Sequence, residues 1–310
     1  MRQAGRWSNF APPSLVLTTG LLIAIMFPAA MAAGPPAPRA AIRSAMCPAD
    51  GLDLPRLAGG ETASTADLKV EPAMSNGVFT GRRLIVQPRA GLPSQIALPA
   101  ESFVAPPIGD VVVYGSHKSA TGSEVRAISL QDGCHALLAR PDHVVRSAVL
   151  DPSGKALYVH AVSAIDRRDM GVTRHDLSSG TRGVVVAPPS ASDAIGPTFA
   201  TELRWSVEGD ALAVQSCGYS ACRTRVLDVA TGEVQAFDNP PHGQLVGLTA
   251  GTIYALEAGH SAPCSLLAID RAGGPTTSVF NDALSASLVV DARGPLLRVE
   301  SHAGVQDIRP

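Results

Sequence analysis

Short runs of apolar and β-branched residues recur along the chain from about residue 81 to residue 300. Examples are "ALYVH" at 156–160, "ALAVQS" at 211–216 and "TIYALE" at 252–257. Runs of this length, bounded by turn residues, are typical of β-strands, and no stretch shows the longer periodicity of an amphipathic helix. The pattern predicts an all-β fold with negligible helix.

Glycines divide these runs at regular distances, in two series. The first series is Gly91, Gly133, Gly180, Gly232 and Gly273, and the second is Gly109, Gly154, Gly209, Gly251 and Gly294. Hairpin turns often require a positive φ, which glycine adopts without steric cost. Each repeat therefore predicts two hairpins, which together make four strands.

Four-stranded units that recur every 40 to 50 residues are typical of a β-propeller. A β-sandwich is the alternative, but it does not need such regular spacing. The turn count predicts five blades. The first hairpin, residues 82–98, matches the third and fourth strands of a blade, and the last, residues 287–300, matches the first and second, so their pairing would close the ring. A sixth blade is the alternative if residues 47–80 supply strands and "GVQDIRP" at 304–310 forms another.

Two repeat motifs carry a resemblance to a known family. "LDPSGKALYV" at 150–159 and "SVEGDALAV" at 206–214 are each followed about two dozen residues later by "LSSG" or "VATG". They resemble the exported propeller repeats of the TolB or WD40-like (PD40-type) class, over roughly residues 100–300. The resemblance implies a propeller fold and a role in binding, scaffolding or accessory functions, but no particular reaction. The Gly-His and Trp-Asp pairs of true WD40 repeats are missing.

The N-terminal residues predict export. Arg2 and Arg6 precede an apolar stretch that ends in a small-x-small cleavage site, so residues 1–32 read as a secretory signal peptide. An uncleaved membrane anchor is the alternative, because the apolar run approaches the length that spans a bilayer. We therefore expect a secreted or extracytoplasmic protein, anchored at the cell surface if the segment is uncleaved.

Beyond the signal peptide the chain divides in two. Residues 33–80 are rich in Pro, Ala and Gly and predict a flexible segment, whereas residues 81–310 predict the propeller domain. No later stretch is long and apolar enough to span a membrane.

Charge and aromatic content argue against nucleic acid as a partner. Removal of residues 1–32 lowers the basic count from 25 to 23, against 27 acidic side chains. An acidic chain with few aromatic residues does not predict nucleic-acid binding. No motif predicts a cofactor or a metal, and the eight histidines are scattered.

Cys217 and Cys222 flank a short connection between two predicted strands. Neighbouring strands place such a pair within the reach of a disulfide, which an exported protein can keep. A metal knuckle or a redox dithiol would more usually have a shorter spacing, and a knuckle needs a second ligand pair. Cys264 aligns with Cys222 in the next repeat, and Cys47 and Cys134 both remain candidates for pairing with it.

The candidate binding residues lie in two loops predicted to share one propeller face. The loop "AIDRRDMG" supplies Asp166, Arg167, Arg168 and Asp169, and the loop "GSHKSATG" supplies His117 and Lys118. Guanidinium groups bind carboxylates and phosphates in bidentate fashion, so this face is a candidate ligand clamp. The alternative is a solvated loop whose charges pair with one another.

These observations favour an exported, non-enzymatic propeller that presents one loop face to a protein or peptide partner. The first alternative is an enzyme whose active site is assembled at the axis from several blades. The second is a structural cell-surface domain. Polar side chains that converge from several inner strands on one pocket would favour the enzyme.

Overall fold

The structure is a computed structural model of the chain. It describes the residues that follow: 46–47, 51–59, 68–90, 92–118, 122–190, 195–219, 221–238, 243–257 and 264–310. The predicted signal peptide lies outside the described residues, as does Gly91.

The described residues form one short helix and five antiparallel sheets. The helix is α1 (Leu54–Ala58), and the first sheet consists of β1 (Leu68–Ser75), β2 (Val78–Val86) and β3 (Ser94–Pro99). The second sheet consists of β4 (Ser102–Val104), β5 (Val111–Lys118), β6 (Gly122–Ser129) and β7 (His135–Ala139). The third consists of β8 (Val144–Leu150), β9 (Ala156–Val162), β10 (Asp169–Asp176) and β11 (Arg182–Val186).

The remaining two sheets follow the same up-and-down order. The fourth consists of β12 (Ala200–Trp205), β13 (Ala211–Cys217), β14 (Cys222–Asp228) and β15 (Val234–Asp238). The fifth consists of β16 (Gln244–Leu248), β17 (Thr252–Glu257), β18 (Cys264–Asp270), β19 (Thr277–Asp291), β20 (Gly294–Ser301) and β21 (Gly304–Ile308).

This architecture is a five-bladed β-propeller, which confirms the predicted fold class and the repeat count. Apolar clusters join each sheet to the next, as blades around an axis require. Val113 and Leu157, for example, share one cluster, and Val149 and Leu212 share another. Of the described turn glycines, all adopt positive φ except Gly251. The predicted hairpin turns are therefore confirmed, and the hairpin between β16 and β17 forms at Gly251 without a positive φ.

The ends of the chain differ from the prediction. The first and last hairpins do not pair with each other within the described residues, because each has its own third strand. β1 occupies the edge of β2 with which the last hairpin would have to pair. In the same way, β21 occupies the edge of β20 with which the first hairpin would have to pair. A strand edge accepts one partner, so local pairing takes the place of the predicted closure. Both extra strands lie in the segments that we named for a sixth blade.

Part of the segment predicted to be flexible, residues 33–80, forms regular structure. Helix α1 begins with a proline at its first turn, and the Asp53 carboxylate accepts a hydrogen bond from the Arg56 N–H at 3.4 Å. Leu54 and Leu57 are buried in the cluster that joins the second and third sheets. Among the described residues, no helix is long and apolar enough to cross a membrane.

Candidate functional site

The inner strands of the blades enclose a cavity of about 470 Å³. Its lining includes Ser102 on β4, Arg146 on β8, Thr201 on β12 and Gln244 on β16, all at or near the first residue of an inner strand. Each of these strands begins directly after a connection between two blades. The cavity therefore lies at the end of the axis where those connections are. We call it the axial cavity.

The loop face is the side of the propeller on which the axial cavity lies. Its described residues include parts of the connections between blades, at 99–101, 140–143, 187–190, 195–199 and 243, and of those between second and third strands, such as 163–168 and 218–219. The predicted clamp loops lie on this face. Polar side chains from several blades thus converge on one cavity, which is the feature that we expected to favour the enzyme alternative.

Two arginines line the axial cavity. Arg82 makes no side-chain hydrogen bond or ion pair among the described residues. Arg146 is 15% exposed, and its Nη2 lies 3.8 Å from the Glu101 carboxylate. Glu202 also lines the cavity, but its carboxylate accepts a hydrogen bond from Arg204 Nε at 2.7 Å. The lining therefore carries more positive than negative charge.

Three buried polar atoms of the cavity residues have no hydrogen-bond partner in the part of the chain that the structure describes. They are Ser102 Oγ, Thr201 Oγ1 and Arg146 Nε. A buried polar atom without a partner costs free energy, so such atoms call for an explanation. Gln215, in contrast, uses both ends of its amide, donating to the Gly243 carbonyl at 2.9 Å and accepting from the Leu245 N–H at 3.0 Å. The unpartnered atoms come from three different blades.

Arg167, one of the predicted clamp residues, connects two blades at the loop face. Its Nη2 donates to Glu101 Oε1 at 2.7 Å, and its carbonyl accepts from the Thr198 N–H at 2.9 Å. Its φ is 56°, which an L-residue rarely adopts. A strained residue that its surroundings hold in place is typical of a functional site. Glu101 thus lies between Arg167 and Arg146.

The other clamp residues have separate environments. The Asp166 carboxylate accepts the Arg168 N–H at 3.2 Å, and this local bond is one cause of its lowered pKa, after a hydrogen bond from Ser163. Asp166 and Arg168 lie in an exposed turn of the loop. The Arg168 side chain makes no hydrogen bond or ion pair among the described residues. The structure therefore does not bring the four predicted clamp residues together in one clamp.

Asp169 is buried and lies between the third and fourth sheets. Its Oδ1 contacts His160 Nε2 at 2.9 Å and accepts the Gly171 N–H at 2.7 Å. Its Oδ2 accepts from Ser216 Oγ at 2.7 Å and from Arg225 Nη2 at 2.6 Å. These bonds occupy the carboxylate, so Asp169 connects blades and does not face a ligand.

His117 lies at the end of β5. Its Nδ1 contacts Ser123 Oγ at 3.0 Å, and its N–H donates to the Glu101 carbonyl at 3.0 Å. The Ser123 hydroxyl donates a hydrogen bond to the His143 carbonyl at 2.6 Å, so His117 is the donor in the first contact. The Lys118 side chain lies outside the described residues.

Neither the His117–Ser123 contact nor the Ser216–Asp169 contact forms a catalytic arrangement. Ser123 is buried and donates its hydrogen bond to a carbonyl oxygen, and Ser216 donates to Asp169 instead of to a histidine. A nucleophilic serine needs an adjacent base and access to substrate. No group of three or more metal-ligating side chains lies together in the described part of the chain.

Cys217 and Cys222 form a disulfide, which confirms the predicted staple. They are directly opposed residues of β13 and β14, with their Cα atoms 4.0 Å apart. The hairpin that they close carries Tyr219, whose ring packs on Phe199 with the centroids 4.1 Å apart. Tyr219 is 77% exposed, so the staple presents an aromatic pair on the loop face.

A second disulfide joins Cys47 to Cys134, which leaves Cys264 as the free cysteine among the described residues. The Cys47 N–H also donates to the His135 carbonyl at 3.2 Å, which attaches the segment before α1 to β7. Disulfides form and persist outside the reducing cytosol. The two pairs therefore indicate an extracytoplasmic protein.

Sequence reasoning did not find the axial lining. Ser102, Arg146 and Thr201 belong to three blades, separated by more than 40 residues along the chain, and none lies in a recognisable motif. Their common signal is position, since each falls at or near the start of a first strand. Glu101, which pairs with both Arg146 and Arg167, precedes β4 in the same way.

The fold and the site define an extracytoplasmic β-propeller with a polar cavity at its axis. Among solved structures, the chain is similar to TolB from Acinetobacter baumannii, with 14% sequence identity, a TM-score of 0.50, and coverage of 77% of this chain and 62% of that one. It thus spans less than two thirds of that protein. TolB-type similarity, predicted from the repeat motifs, is confirmed at the level of the fold.

Two further propellers also align with the chain. A putative TolB from Agrobacterium tumefaciens matches at 12% identity and a TM-score of 0.40, over 69% of this chain and 81% of that one. The propeller domain of the trilobed protease from Pyrococcus furiosus matches at 10% identity and a TM-score of 0.44, over 67% and 70%. No protein-family model and no curated protein matches the sequence.

Proposed function

We propose that the chain is an exported, non-enzymatic β-propeller whose loop face binds a protein or peptide partner. The observation that carries the proposal is the coincidence of three features on this face: the polar axial cavity, the strained loop at Arg167 and the exposed Phe199–Tyr219 pair. Aromatic and arginine side chains contribute much of the binding free energy at protein interfaces. The disulfides support export, and we propose that residues 1–32 direct it.

The enzymatic alternative also requires a polar axial cavity, but it needs an acid, a base or a nucleophile there. Glu202 is the one carboxylate among the described lining residues, and it is paired with Arg204. Cys217 lines the cavity as half of a disulfide, and no described lining residue is a histidine. This composition favours binding over catalysis.

Site-specific photocrosslinking tests the proposal. A photoreactive phenylalanine analogue at Tyr219, in the full chain expressed in its native host, should give a discrete protein adduct. The matched control is Val229, which is exposed in the same sheet, in the turn after β14 on the opposite side of the propeller. Adducts of equal yield from both positions, or none from Tyr219, would contradict binding at the loop face.

A further inference from the structure

The axial cavity has the chemistry of a site for one carboxylate group that is attached to an apolar carbon chain. We infer that Arg146 binds this carboxylate, with the Ser102 and Thr201 hydroxyls as additional donors. The inference deepens the proposed function, because it names the group that a partner would place at the axis.

Arg146 lines the cavity and has unused hydrogen-bond donors. Its Nη2 lies at the long distance of 3.8 Å from Glu101, whereas its Nε is buried without a partner among the described residues. The Nε–H and a neighbouring Nη–H of a guanidinium form a fork that matches the two oxygens of a carboxylate. A carboxylate in the cavity would satisfy the buried Nε–H.

The two hydroxyls complete the donor set. Ser102 Oγ and Thr201 Oγ1 are buried and have no partner among the described residues, and both residues line the same cavity as Arg146. A carboxylate accepts about four hydrogen bonds and donates none, so it can take one from each hydroxyl as well as from the guanidinium. A neutral amide would offer one oxygen in place of two.

The charge of the lining favours an anion. Arg82 and Arg146 line the cavity together with Glu202, whose own charge is balanced by Arg204. Glu101, which lies near Arg146, is paired with Arg167 at 2.7 Å. The excess positive charge of the lining therefore suits a carboxylate.

The size and the remaining lining indicate an organic acid. A cavity of about 470 Å³ is much larger than one carboxylate, and its walls include Phe103, Val104 and Leu203. Ligand sites of this size combine apolar walls with a few convergent polar groups. The carboxylate could belong to a free aliphatic acid or to an acidic residue of a peptide.

Arginine Nε–H signals in ¹⁵N–¹H spectra of the intact protein test the inference. The Arg146 signal is assigned by its loss in R146K. Two carboxylate probes, butyrate and the capped peptide acetyl-Gly-Gly-Glu-Gly-Gly-amide, are compared with butyramide and the matching glutamine peptide. We expect the Arg146 signal to shift saturably with at least one carboxylate probe and with neither neutral probe.

Matched variants separate the guanidinium from general charge. R146K keeps the charge but lacks the fork, so it should weaken binding about tenfold. R140K changes an exposed arginine that pairs with Glu124 outside the cavity and should bind as the parent does. Unchanged signals of the other arginines show that each variant is folded.

The outcomes assign the source of the carboxylate. Binding of the glutamate peptide alone indicates a peptide ligand, and binding of butyrate alone indicates a free acid. Equal shifts with the neutral probes, equal affinity of R146K, or tighter binding of inorganic phosphate would overturn the inference. A carboxylate-dependent shift of Arg146 with no crosslink at Tyr219 would support the cavity site and reject the loop-face partner. A crosslink at Tyr219 with no such shift would support the loop-face partner and reject the cavity site.

Discussion

The carboxylate of Asp169 is buried and yet accepts hydrogen bonds from four groups of two neighbouring blades. Burial alone would raise its pKa, but the hydrogen bond and charge of His160, together with Arg225 and Ser216, outweigh this and hold the pKa well below its usual range. Arg225 is also buried and donates to the Ala187 carbonyl at 2.7 Å. The network connects the third and fourth sheets through charge as well as apolar contact.

Asp169→Asn should lower the free energy of unfolding by about 3 kcal/mol at pH 7, because it leaves Arg225 buried without a counter-charge. The folded pKa of Asp169 is depressed, so its stabilising effect is complete above the unfolded pKa near 4 and is lost as the pH falls further. Urea denaturation from pH 7 to pH 3 should show the gap between parent and variant narrowing below about pH 4. A gap that widens with acidity would contradict this role.

At the scale of elements, helix α1 packs on the turns between first and second strands of two adjacent blades. A Cβ atom at Gly154 would lie 2.5 Å from the Leu54 carbonyl oxygen, and one at Gly109 would lie 2.3 Å from that of Leu57. The Asp110 N–H donates to the same Leu57 carbonyl at 2.8 Å. The helix therefore covers the side of the propeller opposite the loop face.

Gly154→Ala should be more destabilising than Gly180→Ala, by about 1 to 3 kcal/mol. Both glycines have a φ of 71°, so both variants carry the same backbone strain. Of these two glycines, Gly154 alone approaches α1, since a Cβ at Gly180 would meet no described atom within 4 Å. Denaturant midpoints measure the difference, and equal midpoints would show that α1 does not pack on this turn.

For the whole molecule, the sequence predicts what depends on local pattern. Strand-length runs and turn glycines such as Gly154 and Gly209 repeat in every blade, so the strand order and repeat count follow from them. The ring closure does not follow from them. β1 pairs with β2 and β21 pairs with β20, and the periodicity of the sequence does not show which partner a strand edge takes.

The candidate site was predictable only in part. The Cys217–Cys222 staple is a local feature, and its pairing follows from the strand connection that it flanks. The axial cavity needs single residues from separate blades, so their meeting depends on how the sheets pack around the axis. Asp169 illustrates the remaining difficulty, since a charged run in sequence does not distinguish an exposed loop from a buried ion pair.

The central claim is that the loop face and the axial cavity form one binding site, and a charge reversal in the cavity tests it most directly. In the chain that carries the photoreactive analogue at Tyr219, R146E should reduce the yield of the protein adduct about tenfold, because it replaces the guanidinium with a repelling carboxylate. R140E, outside the cavity, should leave the yield unchanged. An adduct yield that is the same in R146E as in the parent would contradict the claim.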